Sequence, residues 1–231
     1  MWGTGKILEG ILPALVLTAL VLVAAGPCWR HFVDGVAQDQ AIPVPNALIA
    51  GVTLPRAAYR DAAIVLQNVD PNNGEGVLLR AEAGIRAGDP AYSQLPIVRA
   101  GLSHAPGSAR GWLLLAEIEA GRDNLLAYRA LAQSILLSRR DFWLTGVRVQ
   151  DAVALWRVMD GNSKQLALAQ ARLLWQEKSL RSQLKNLLHL KGGDSIMQQA
   201  LVGSPDDIRE LNRWYAADAR RDIWLGDAGT P

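Results

Sequence analysis

Two stretches of the chain, 35 positions apart, share their turn residues as well as their apolar residues. Residues 68–88 are NVDPNNGEGVLLRAEAGIRAG, and residues 103–123 are SHAPGSARGWLLLAEIEAGRD. Pro71 aligns with Pro106, and Gly76 aligns with Gly111. An Ala- and Leu-rich helical array would align with itself through its apolar faces alone, whereas proline and glycine mark turns and helix ends. The spacing therefore predicts one structural unit that is used twice.

The period is close to the 34 residues of tetratricopeptide repeats, in which each unit is a pair of helices. Trp112 and Ala116 suit the first helix of such a unit, where a large side chain packs beside a small one. The upstream copy has Val77 where the bulky aromatic residue is expected, so the repeats are degenerate. Turn residues and apolar spacing predict five helices joined by short turns. These are Ala57–Val69, Glu75–Ala87, 91–104, 109–120 and Asn124–Ser138.

Past Ser138 the repeat pattern is lost, although the helical pattern continues. We expect helices over Asp141–Met159, Lys164–Glu177 and Leu180–Leu190. A last helix is expected to start at Ser204-Pro205 and to run to about Asp222. Its inward-facing residues would be Ile208, Leu211, Tyr215 and Ala219. Terminal units of helical repeats are usually atypical because they cover the end of the stack. The sequence therefore predicts an all-α protein in which residues 57–140 form an α-solenoid of tetratricopeptide-like hairpins. Residues 141–224 would be an atypical C-terminal cap, followed by a tail over 225–231.

The N-terminal stretch 11–27, ILPALVLTALVLVAAGP, contains no charged residue. An apolar run of about 20 residues is long enough to cross a bilayer as a helix. We therefore expect a membrane anchor over residues 1–30, with its helix at about 7–27, and a proline-containing linker over 31–56. A cleavable signal peptide is the alternative, since Lys6 precedes the run and Ala24 and Ala25 are small. The expected location is the cytoplasmic (inner) membrane, crossed once, with the bulk of the chain in the periplasm.

Several classes of chemistry find little support in the sequence. The formal net charge of +2 gives no basic footprint for a nucleic acid. The one cysteine and three widely separated histidines offer no metal-ligand spacing. No Gly-x-Ser-x-Gly motif accompanies a suitable Asp and His. We therefore expect no metal, no cofactor and no enzymatic activity.

The candidate binding residues fall into two groups. On the predicted first helices, charged and apolar side chains would line a surface for a partner protein: Arg80, Glu82, Ile85, Leu115, Glu117 and Glu119. Packing between helices would be an equal explanation for Ile85 and Leu115. Near the C-terminus, Arg213, Trp214 and Trp224 form the second group, with the tryptophans expected to be exposed. The other tryptophans of the helical region, Trp112, Trp143, Trp156 and Trp175, are expected in the core.

The order of these segments resembles that of a known group of proteins. The stretches APGSARGWLLLAEIEAGRD, ALAQSILLSRRDFWLTGVRVQDAVALWRVMD and QLALAQARLLWQEKSLRSQLKNLL follow an N-terminal apolar segment and a proline-containing arm. This arrangement resembles small membrane-anchored tetratricopeptide-like proteins of alphaproteobacteria that accompany exopolysaccharide polymerisation and export. The resemblance covers approximately residues 55–215 and rests on pattern and composition. It implies a non-catalytic accessory beside a polytopic glycan polymerase or ligase.

The sequence thus favours a membrane-anchored scaffold whose helical repeats bind a partner protein. Two alternatives remain open. The chain would be a carbohydrate-binding module if its Trp and Arg side chains contact a glycan directly, or an assembly factor for another envelope complex.

Overall fold

The structure, a computed structural model, describes the backbone of residues 54–227 and the side chains of residues 54–216 other than Ser182. Within this range the regular structure is helical, which confirms the all-α prediction. The helices are α1 Arg56–Val65, α2 Gly74–Ala87, α3 Leu95–His104, α4 Ala109–Glu119, α5 Asn124–Leu137, α6 Phe142–Leu155, α7 Gly161–Gln176, α8 Arg181–Leu188, α9 Gly193–Ala200 and α10 Pro205–Asp227. Short 3-10 turns cover Leu66–Asn68, Ala91–Gln94 and Lys178–Leu180.

The two echoed segments begin their helices with the same cap. The Asn73 side chain accepts a hydrogen bond from the Gly76 amide at 3.1 Å, and the Ser108 hydroxyl accepts one from the Gly111 amide at 3.1 Å. Each cap satisfies a backbone N–H that has no partner within the first turn of the helix. The echo in the sequence therefore corresponds to a shared helix start at α2 and α4.

The repeated glycines also have a common packing reason. A Cβ atom at Gly76 would lie 2.5 Å from Cγ1 of Val69, and one at Gly111 would lie 2.6 Å from Cδ1 of Leu78. In both places an apolar side chain from earlier in the chain packs directly against the helix backbone. Glycine is thus retained at these positions because a larger residue would clash with the core.

Successive helices from α1 to α7 pack against one another, and α4 also contacts both α2 and α6. Helices α2, α4 and α6 therefore lie in one row. A first core cluster joins helices α2 to α7, and a second joins the later helices through α10. Helix α6 contributes Ala152 and Leu155 to the first cluster and Val149 to the second, so packing is continuous across residue 141.

The C-terminal helix is attached through Trp175, which is buried as expected. Its indole N–H donates to Oδ1 of Asp207 at 3.1 Å, and the Arg181 guanidinium lies 4.8 Å from the ring centroid. Arg181 also pairs with Glu210 at 3.0 Å. Helix α10 is therefore held to the α7–α8 region by polar contacts around one tryptophan.

Two expectations about this region were wrong. Trp143 is 54 % exposed rather than in the core, because it lies at the start of α6, away from the side buried by Thr145, Val149 and Ala152. Tyr215 is 49 % exposed, since packing along α10 reaches Leu211 but does not enclose Tyr215. The structure also contains α9, a helix between the predicted helices over Leu180–Leu190 and from Ser204-Pro205.

Among the described residues, no helix has the length and apolar character needed to cross a membrane. The predicted anchor, the alternative signal peptide and almost all of the predicted linker lie outside the described residues.

Candidate functional site

Five ionisable side chains form a line across the row of helices α2, α4 and α6. Helix α2 carries Glu82 and Arg86, α4 carries Arg110 and Glu117, and α6 carries Asp151. We call these five residues the charged strip. The spacing of four residues on α2 and seven on α4 places each pair on one face of its helix.

Two ion pairs connect α2 with α4. Nε of Arg110 donates to Oε2 of Glu82 at 2.5 Å, and Glu82 is only 7 % exposed. Nη2 of Arg86 lies 3.4 Å from Oε2 of Glu117. The order of charge is acid then base along α2 and base then acid along α4, so each carboxylate meets a guanidinium. The Arg110–Glu82 pair is the more buried of the two and is less weakened by water, whereas Arg86 is exposed, so its pair with Glu117 is weaker.

Glu117 lies at the centre of the strip. Burial raises the pKa of its carboxyl group, and the neighbouring charge of Glu82 raises it further, whereas Arg86 and Arg110 oppose the change. Burial disfavours the ionised form because the charge loses its hydration. The Glu117 carboxylate thus remains incompletely compensated despite its ion pair with Arg86.

Asp151 extends the strip onto α6 without a cation of its own. Burial raises the pKa of Asp151 to about 8, with a further contribution from the charge of Glu117, while Arg86 lowers it. Its Oδ2 atom is buried and accepts no hydrogen bond from any protein group in the described part of the chain. The Nη2 atom of Arg110 is likewise buried, and it donates no hydrogen bond to any described protein group. A buried polar group without a partner destabilises a protein by about 1–3 kcal/mol, so the strip holds one acceptor and one donor that the chain itself leaves unsatisfied.

A cavity of about 500 Å³ lies between α6 and the α8–α9 region. Its wall combines Val153, Trp156 and Ile196 with the polar side chains of Gln150, Arg157 and Lys191. Gln150 and Ala154 line the cavity from α6, the helix that also carries Asp151, and none of the five strip residues lines it. On its other side the cavity is bounded by Leu190, Lys191 and Gly192 in the turn between α8 and α9.

The structure brings two of the nine expected binding residues into the strip, Glu82 and Glu117. Arg80 and Ile85 are half-buried on α2, with Ile85 packed against the first core cluster. Leu115 is 5 % exposed and belongs to that cluster. Glu119 is 2 % exposed and pairs with Arg99 of α3 at 3.0 Å. Leu115 and Glu119 are therefore occupied by the packing of the chain itself, and we do not include them in the strip.

The second expected group does not form a site with the first. Arg213 is exposed on α10, and its Nε donates to the Arg209 carbonyl at 3.4 Å. Trp214 is half-buried against the second core cluster. The side chain of Trp224 lies outside the described residues.

Three residues of the strip, Arg86, Arg110 and Asp151, were missed. A signal was present for the two arginines, since Glu82 and Arg86 lie one turn apart on α2 and Arg110 and Glu117 lie two turns apart on α4. Their opposite order of charge would have indicated complementary neighbouring helices. No comparable signal indicated Asp151, because its environment depends on how α6 packs beside α4.

The strip can accept a hydrogen bond or a positive charge at Asp151 and donate a hydrogen bond from Arg110. Across the described part of the chain, no group of three His, Cys, Asp or Glu residues is arranged to hold a metal ion. Comparison of the chain with family models, with curated proteins and with solved structures finds no match.

Proposed function

We propose that the protein is a non-catalytic adaptor that binds a segment of a partner protein across the charged strip. In this proposal α2 to α7 act as three tetratricopeptide-like hairpins of an α-solenoid, and the row α2, α4 and α6 forms the binding surface. The contacts of α4 with both α2 and α6 support this arrangement. Repeat proteins of this kind use such rows of helices as extended binding surfaces.

The observation that carries the proposal is the unsatisfied Oδ2 atom of Asp151. A structural ion-pair network would be expected to satisfy its own buried atoms, because an orphaned charge costs more than a completed pair contributes. The strip instead has Asp151 without a cation and Arg110 with a free donor. Asp151 as a whole is partly exposed, so a bound partner that places a cation against its carboxylate would offset this cost only in the complex.

The charges of the strip indicate what the partner offers. Three acids, Glu82, Glu117 and Asp151, face two bases, Arg86 and Arg110. When all five side chains are ionised, the strip carries one negative charge in excess, and this charge lies near Asp151. The partner segment therefore presents a Lys or Arg side chain to Asp151 and a carbonyl or carboxylate oxygen to Arg110.

The cellular setting of the proposal rests on the sequence alone. In this proposal the apolar N-terminal segment anchors the chain as a single-pass protein of the cytoplasmic membrane, with its helices in the periplasm. The resemblance described above makes a glycan polymerase or ligase the expected partner and polysaccharide polymerisation or export the expected process. Anchoring near such a partner would raise the effective concentration of the helical region without additional contacts.

Direct contact with a glycan is the second candidate function, and the cavity supports it. Trp156 offers an aromatic surface, and Arg157 and Lys191 offer hydrogen-bond donors beside it. Isothermal titration of the full chain with acidic oligosaccharides tests this candidate. Binding that is lost in Trp156→Ala but kept in Asp151→Asn would favour the glycan over the protein partner.

Affinity purification of the intact, detergent-solubilised protein tests the adaptor proposal. We expect one partner protein to be recovered with the wild type and at least tenfold less of it with Asp151→Asn, because an amide cannot pair with a cation as a carboxylate does. Asp61→Asn, on the exposed side of α1, is the matched control and should recover the wild-type amount. Equal recovery by the two variants would contradict the proposal.

A further inference from the structure

The turn between α5 and α6 exposes an unusual concentration of apolar side chains. Leu136 is 47 % exposed, Leu137 39 %, Phe142 38 % and Trp143 54 %. These four residues lie within eight positions of the chain, on either side of the exposed Arg139 and Arg140. We call these six residues the α5–α6 patch.

The backbone of this turn is held firmly by side chains beneath it. Nη1 of Arg148 donates to the Ser138 carbonyl at 2.8 Å, and Nε2 of Gln170 donates to the Arg139 carbonyl at 2.7 Å. The Thr145 hydroxyl donates to the Asp141 carbonyl at 2.9 Å. The apolar residues are therefore exposed by an ordered turn, and little conformational entropy is left to lose when they bind something.

The charge of the patch is positive. Arg139 and Arg140 form no ion pair with any described residue of the chain. The nearby carboxylate of Asp141 accepts a hydrogen bond from the Trp143 amide at 3.2 Å and so caps α6. Two arginines without a carboxylate partner thus flank the exposed apolar side chains.

We propose that the α5–α6 patch contacts the surface of a lipid bilayer that contains anionic lipids. Tryptophan is enriched at the membrane interface, where its ring lies among the headgroups and acyl chains. Leucine and phenylalanine add apolar area at the same depth, and arginines pair with lipid phosphates. Apolar and cationic side chains on one ordered turn match this surface in both polarity and charge. The inference is separate from the adaptor proposal, since it involves neither the charged strip nor the cavity.

Quenching by brominated lipids tests the proposal on the full chain. The protein is reconstituted into vesicles of brominated phosphatidylcholine, with or without phosphatidylglycerol, and the tryptophan emission is compared between wild type and Trp143→Phe. With phosphatidylglycerol present, the wild type should show a quenched component that Trp143→Phe lacks. The same comparison with Trp112→Phe, which removes a half-buried tryptophan on α4, should leave that component in place.

The arginines are tested in the same vesicles. Arg139→Gln combined with Arg140→Gln should reduce the Trp143 component at least twofold, whereas Arg122→Gln combined with Arg129→Gln, at two other exposed arginines, should not. Both double variants alter exposed side chains, and thermal unfolding confirms that each remains folded. Equal quenching of wild type and Trp143→Phe in both lipid mixtures would overturn the proposal and assign the patch to a protein contact.

Discussion

The guanidinium of Arg148 donates to the Ser134 carbonyl at 2.7 Å and forms no ion pair with a carboxylate in the described part of the chain. Its Nε also donates to the Ser134 hydroxyl at 3.0 Å, and that hydroxyl in turn donates to the Ala109 carbonyl at 2.6 Å. Arg148 is fully buried, and burial lowers its pKa to about 10, which keeps it charged at neutral pH. Helices α4, α5 and α6 are thus connected through one buried cation and the carbonyl end of α5.

Replacement of Arg148 should therefore destabilise the protein severely. Arg148→Met fills part of the space but removes the short hydrogen bonds that Arg148 donates to the Ser134 and Ser138 carbonyls, which keep only backbone hydrogen bonds of 3.4 Å. We expect a loss of about 2–4 kcal/mol in the free energy of unfolding, measured by urea denaturation of the full chain in detergent. Arg129→Met, on the exposed side of α5, should change it by less than about 0.5 kcal/mol. Equal effects of the two substitutions would contradict this role.

Close packing of α2 against α3 gives a second prediction. A Cβ atom at Gly74 would lie 2.6 Å from the Gly101 carbonyl oxygen and 2.7 Å from the Ala105 amide nitrogen. Because both neighbours are backbone atoms, the helices would have to separate. Gly74→Ala should lower the free energy of unfolding by about 1–3 kcal/mol, as measured by thermal denaturation.

Gly107→Ala is the matched control for that substitution, since a Cβ atom there meets nothing within 4 Å. It should leave the free energy of unfolding unchanged or raise it by up to about 1 kcal/mol, because alanine lowers the conformational entropy of the unfolded chain. A Gly74→Ala variant as stable as Gly107→Ala would show that α2 and α3 can separate at no cost.

Asp151 predicts how stability depends on pH. Its pKa of about 8 in the folded state lies above the value of about 3.9 in an unfolded chain. Between these values the folded state binds more protons than the unfolded state, so the free energy of unfolding falls as pH rises. Asp151→Asn should reduce this slope when denaturation is measured from about pH 5 to 8. The pKa of Glu117 is also raised in the folded state, so part of the pH dependence should remain in Asp151→Asn. If the substitution left the slope unchanged, the raised pKa of Asp151 would be contradicted.

Partner binding should show the opposite dependence on pH. A cation placed beside Asp151 lowers the pKa of its carboxyl group, so binding at neutral pH releases a proton. Affinity should therefore increase between about pH 6 and 8, and this increase should vanish in Asp151→Asn. A pH-independent affinity of the wild type would mean that the partner offers Asp151 a neutral donor.

The helices could be predicted from the sequence because their signals are local. The starts at Asn73 and Ser108 and the turn at Gly88 follow from capping and glycine conformation, with Gly88 at a φ of +106°. Trp143 was misplaced because apolar character alone does not reveal which side of α6 meets its neighbours. Helix α9 was missed because it is only eight residues long and begins at a glycine.

The candidate site was only partly predictable for a related reason. Glu82 and Glu117 were identified because they are charged residues on the predicted first helices of the repeat. The ion pairs of these acids with Arg86 and Arg110 form because α2 and α4 lie side by side. The repeat implies that the two helices are neighbours, but it does not specify how they align along their length. Asp151 depends on tertiary packing beyond the repeat, since burial beside Glu117 gives it its properties.

The claim that the charged strip binds a partner protein is tested most directly by site-specific photo-crosslinking in intact cells. A photoreactive residue at Ala154, exposed one turn after Asp151 on α6, is compared with one at Ala169, exposed on α7. We expect a single protein adduct from position 154 that disappears when Asp151→Asn is added, and none from position 169. Equal adducts from both positions, or an adduct at position 154 that Asp151→Asn leaves unchanged, would contradict it.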